Sequence, residues 1–206
     1  MTRDDPIASA LLSDSAYERV RYQRFGWFKQ SVTRKLTLQS YLLHVLAGVL
    51  PVLALLPAEL RRAYFGGPVA AAAPKVGLVA LVAVGVVAAG GLGLVAVAAI
   101  RLARGDDFDE HTAHSVLNLE DLGSMVGLAT GGVATVATYT FVLLGFGGVD
   151  TVRAWVDFGG GNPYAPSGVS LDVATVAVTA LVLGVCLQVA AAYLHARSLD
   201  EPDVDL

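Results

Sequence analysis

The chain has 206 residues, 55% of them apolar and only 16% charged, with a formal net charge of −4 and a mean hydropathy of +0.61. That balance is too apolar for an ordinary soluble domain, and no basic stripe interleaved with aromatics sits on a soluble unit, which excludes a nucleic-acid partner. The single cysteine, Cys186, excludes an internal disulfide.

Residues 1–36 read as a basic, aromatic, partly helical segment on the cytoplasmic side. They contain no apolar run of about 7–15 residues, so no cleavable signal is expected there. Tyr17, Phe25, Phe28, Val32 and Leu36 share one side of a helical wheel, with Arg21, Gly26 and Trp27 interrupting it. Arg21, Arg24, Trp27, Phe28 and Lys29 are the expected membrane-surface residues: cations for an anionic leaflet and rings for headgroup depth. A docking face for a partner is the alternative use of the same segment.

Residues 37–196 are expected to form a four-helix transmembrane domain with spans over 38–57, 76–100, 122–149 and 171–196. Each is long enough to cross a hydrocarbon core of ~30 Å. Pro51 should bend the first, because it lacks a backbone donor and clashes with the preceding turn. The second carries Gly85, Ala89 and Gly93 at intervals of four. The third carries Gly123, Gly127 and Gly131 at the same interval, followed by Thr135 and Tyr139. Such spacing cuts a groove of small residues into a helix and lets two backbones approach closely, so these faces are expected to pack together. Trp155, Phe158, Gly159–Gly161, Pro163 and Pro166 mark an aromatic turn and an irregular connection before the fourth span. Residues 197–206 read as a disordered acidic tail.

With four spans, ten Lys and Arg fall on the side of the N-terminus and four on the other. The excess of cations places both termini in the cytoplasm of a multi-pass cell-membrane protein. The fold class is therefore all-α: an up-down bundle of four transmembrane helices with an N-terminal juxtamembrane helix.

In this topology all four histidines lie towards the cytoplasmic face. His44 and His195 are the candidate cofactor ligands, since a bis-imidazole haem site needs two histidines at one depth. Asp107, Glu110, His111 and His114 are the candidate metal ligands, crowded into one loop. The run Asp106–Glu110 resembles the aspartate-rich, Mg²⁺-binding motifs of prenyl-diphosphate enzymes over five residues. No second such motif is present, and no residue role is carried over. No nucleophile elbow, phosphate loop or Cys-x-x-Cys pattern occurs. Apart from Asp172 at the very start of the fourth, the expected spans hold no Asp, Glu, Lys or Arg, which weighs against an ion-coupled transporter.

The expectation is a non-enzymatic membrane protein without a cofactor, acting as a structural or accessory subunit. Its expected partners are the lipid bilayer and other membrane proteins or further copies of itself. The alternatives are a redox or metal-handling protein using the cytoplasmic-side histidines, and an oligomeric pore for a small neutral solute.

Overall fold

A computed structural model describes residues 30–104 and 109–197. Arg21, Arg24, Trp27, Phe28, Lys29 and Asp107 lie outside the described residues, as do the expected juxtamembrane helix up to residue 29 and the acidic tail from 198. Everything regular among the described residues is helical, apart from one isolated bridge between Pro74 and Pro166. Four helices are long and apolar enough to cross a membrane.

The first is built from α1 (Val32–Ala47) and α2 (Val49–Ala54). Ser31 starts it as N-cap, its hydroxyl accepting from the Arg34 N–H at 3.3 Å. The interruption expected near Pro51 falls one turn earlier, at Gly48. Pro51 has no N–H to give the Ala47 carbonyl, so the ladder loosens there. A short helix, α3 (Ala58–Tyr64), and a 3-10 turn (Val69–Ala71) follow.

The second long helix, α4 (Lys75–Arg104), has 30 residues, or ~45 Å at 1.5 Å per residue. Arg101 and Arg104 in its last turn suit the negative end of the helix dipole. The third is a run of 48 residues, well beyond the ~20 that cross a bilayer. It consists of α5 (Glu110–Ser124), a π-helical stretch (Met125–Thr130), α6 (Gly131–Leu144), a 3-10 turn (Gly145–Gly147) and α7 (Gly148–Asp157). The expected end at residue 149 is thus overrun. The backbone changes direction at Gly148, whose φ of +80° suits a residue without Cβ, and helix resumes beyond it. The fourth, α8 (Val173–Ala196), starts on Asp172, whose carboxylate accepts from the Thr175 N–H at 2.7 Å. That hydrogen bond holds the Asp172 carboxyl below its usual range.

The contacts fix the helix directions. Lys35 meets Glu120 and Val45 meets Tyr139, so the first and third helices run the same way. Ser40 meets Gln188 and His44 lies at Gly184, so the fourth runs against the first. Gly131 sits against Val87 and Gly123 against Leu94, so the second runs against the third. Leu36, Leu43, Leu46, Val87, Leu94 and Ala180 fill the shared interior, all fully buried.

Candidate functional site: a buried polar track along the first helix

The first long helix is apolar enough to span, yet its α1 part carries Lys35, Gln39, Ser40 and His44 in less than three turns. Lys35 and Gln39 are one turn apart and meet the third helix; Ser40 and His44, one turn apart and further round, meet the fourth. α1 is therefore clamped from two sides by polar groups.

On the first side, the Lys35 ammonium donates to the Glu120 carboxylate at 2.5 Å, with the two side chains 1% and 5% exposed. Neither charge could be held there alone. The effective cost of stripping water from an ion is several kcal/mol, and only a close opposite charge offsets it. One turn on, the Gln39 amide donates to the Gly123 carbonyl at 3.1 Å. Its other atom, Oε1, is buried with no hydrogen-bond partner. It is packed close to Gly91 and Gly127, where an added Cβ would come within 3.1 Å of it.

This packing explains the glycines. A Cβ on Gly90 would lie 2.5 Å from the Gly127 Cα and 2.6 Å from the Gly123 carbonyl oxygen, and one on Gly127 would overlap the Gln39 amide. The backbones of α4 and the third helix are in direct contact, as small residues permit. The π-helical stretch, Met125–Thr130, carries Gly127 within it.

On the second side, the Ser40 hydroxyl donates to Gln188 Oε1 at 2.7 Å. His44 Nδ1 is 2.8 Å from the Ser40 carbonyl, which can only accept, so in the neutral ring Nδ1 carries the proton and Nε2 is left as an acceptor. The ring is seated on Gly184, where a Cβ would lie 2.9 Å from it. Further along, the Tyr139 hydroxyl donates to the Val45 carbonyl at 2.5 Å, next to the interruption at Gly48.

The sequence candidates are distributed unevenly over this geometry. Gly123, Gly127 and Gly131 are buried against α4. Their expected counterparts are displaced: Gly85 and Ala89 lie on the exposed side of α4, Gly85 with open space around it, and only Gly93 approaches Gly123. Gly90, with Val87 and Leu94, takes the contact instead. One residue turns a helix by ~100°, so a neighbouring choice of small residue selects another face.

His44 and His195 are not brought together. His44 lies at the level of Gly184, while His195 is exposed in the last turn of α8, eleven residues or ~16 Å further along the axis. Glu110, His111 and His114 are exposed on α5, and among the described residues no group of three or more metal-binding side chains converges. Lys35, Glu120, Gln39 and Gly90 are the residues that sequence reasoning missed. Polar residues four apart at the edge of an apolar run were the available signal for the first three.

At the other end of the bundle, loop backbone does the joining. Lys75 and Val76, in the first turn of α4, donate to the carbonyls of Ala165 and Pro163 at 2.9 and 2.8 Å, which satisfies two N–H groups a helix start leaves open. The Tyr164 hydroxyl donates to the Phe141 and Val142 carbonyls at 2.8 and 2.9 Å, near the end of α6. Burial pushes this phenol up to about 12. Comparison with protein-family models, curated proteins and solved structures returned no match.

Proposed function

We propose that the chain is a multi-pass protein of the cell membrane, its four long helices crossing the bilayer in alternate directions with both termini cytoplasmic. In that setting it acts as a non-enzymatic structural or accessory subunit that packs against other membrane proteins or further copies of itself. The observation that carries this reading is the division between its exterior and interior. Leu92, Val133, Val136 and Val189 are each more than three-fifths exposed (66%, 71%, 68% and 63%), on helices that are apolar throughout. A surface of that kind requires lipid or another apolar helix over it.

The interior supports the same reading. Its polar groups bond mainly to one another across helices: Lys35 with Glu120, Gln39 with Gly123, Ser40 with Gln188. Such pairs fix helix register. The hydroxyls of Thr135, Thr138 and Thr140 donate to carbonyls one turn back in their own helix, which leaves a pore little to be lined with. The separation of His44 from His195 likewise removes the geometric support for a bis-histidine haem. The preponderance of cations on the N-terminal side supports the orientation.

Extraction in a mild detergent followed by native mass spectrometry and visible absorption tests the function. The expected particle is heavier than one 21.3 kDa chain, through retained membrane proteins or copies of itself, and is colourless. A single chain carrying a stoichiometric chromophore or metal would replace this reading with the redox one.

A further inference from the structure

The turn after the first long helix contains a cavity of about 540 Å³ whose lining includes Arg61, Arg62, Gly66, Gly67 and Pro68. Two guanidinium groups therefore border one space. Arg61 is already oriented, its Nε donating to the Leu56 carbonyl at 3.0 Å, so the terminal nitrogens of its fork are held towards a fixed place. Arg62 is exposed and makes no ion pair among the described residues. Glu59, the acidic residue on the same short helix, is not among the lining residues.

Gly66 and Gly67 line the same space. Gly66 has a φ of +61°, and at both Gly66 and Gly67 an added Cβ would meet nothing within 4 Å. Neither glycine N–H donates to a backbone carbonyl among the described residues. Two arginines bordering one space with glycine backbone in its lining make an environment suited to a multiply accepting anion, because guanidinium groups donate several charge-assisted hydrogen bonds and offset the charge. A carboxylate would engage one fork and leave the remaining donors unused.

We propose that this cavity binds a phosphate group. The shared chemistry is a phosphate oxyanion, carried either by a phospholipid headgroup or by a free phosphate. α3 begins only a few residues after the apolar first helix ends at Ala54, so under the membrane reading, on which the lipid source rests, the site lies at headgroup depth.

The full chain, purified in an uncharged detergent, is titrated separately with phosphatidylglycerol and with inorganic phosphate. Arg62→Gln is the main variant, because Arg62 makes no ion pair among the described residues, and Glu59→Gln is the control for a general charge effect. Thermal unfolding checks that each variant is folded. The expected result is a roughly tenfold weaker affinity for the phosphate probe in Arg62→Gln, the size of one charge-assisted hydrogen bond, and no weakening in Glu59→Gln. Binding of phosphatidylglycerol that millimolar phosphate does not displace assigns the lipid source; binding of both in competition assigns the free anion as well. Equal affinity in the folded parent, Arg62→Gln and an Arg61→Gln/Arg62→Gln double variant would overturn the proposal, as would a parent that binds neither probe. Membrane fractionation reads the membrane assignment separately, since the phosphate arm does not depend on it.

Discussion

The two ends of the bundle are joined by different means. At the end where α1 starts, the helices are held by side chains buried between them: Lys35 on Glu120, Gln39 on Gly123, Ser40 on Gln188. At the end where α4 and α8 start, the joining is done by backbone. Residues 72–76 exchange four hydrogen bonds with Pro163, Ala165, Ser167 and Val173, and Tyr164 is the largest fully buried side chain there. Backbone bonds survive a change of side chain, whereas a pin between helices does not. The first end should therefore be brittle to point substitution and the second tolerant, except at Tyr164.

The largest expected effect comes from splitting the ion pair. Glu120→Ala leaves the Lys35 ammonium buried without a partner and should cost about 3–5 kcal/mol in detergent unfolding. Lys35→Met combined with Glu120→Leu removes both charges and should recover most of that loss. If Glu120→Ala unfolds like the parent, the pair is wet and the contrast between the two ends disappears.

A smaller loss is expected from Gly90→Ala. Its methyl meets the backbone of Gly127, which cannot rotate away, so the helices must separate at a cost of about 1–3 kcal/mol. Gly85→Ala, placed in open space, should be neutral or slightly stabilising, since Ala is the better helix former. Equal melting curves for the two would return the packing face to the Gly85 side.

Tyr164→Phe sharpens the comparison at the second end and should have a smaller effect than Gly90→Ala, about 0.5–1.5 kcal/mol for the lost hydrogen bonds to the carbonyls. The phenol is raised from 10.0 to about 12 by burial. Its neutral form is therefore favoured by folding, so its contribution is intact below pH 10 and declines as the pH rises towards 12. A spectrophotometric titration should lose a late-titrating phenol in Tyr164→Phe relative to the parent.

The four long helices could be read from the sequence because an apolar run of about twenty residues admits almost no other structure. Their ends were harder to place. Lys35 and Glu120 lie just outside the expected spans, which begin at residues 38 and 122. Hydropathy records the nature of a side chain but not its partner, and these two become compatible with burial only through each other. The third helix runs past the expected end at residue 149 because Gly145–Gly147 forms a 3-10 turn that leads into α7 at Gly148. On α4 the glycines at 85, 90, 91 and 93 offer several small faces, and spacing alone does not choose among them. The choice is made by Gln39, an amide from another helix that needs room beside Gly91 and Gly127.

Alternating passage of four helices through a bilayer is the central claim, and cysteine accessibility in cells tests it most directly. With Cys186→Ala as background, Ser115→Cys and Ser170→Cys each place one thiol at an exposed position, on α5 and in the loop before α8 respectively. A maleimide that cannot cross membranes should label the Ser170→Cys variant in intact cells and the Ser115→Cys variant only after the membrane is opened. Labelling of both in intact cells, or of neither, would contradict the four-span, termini-inside arrangement.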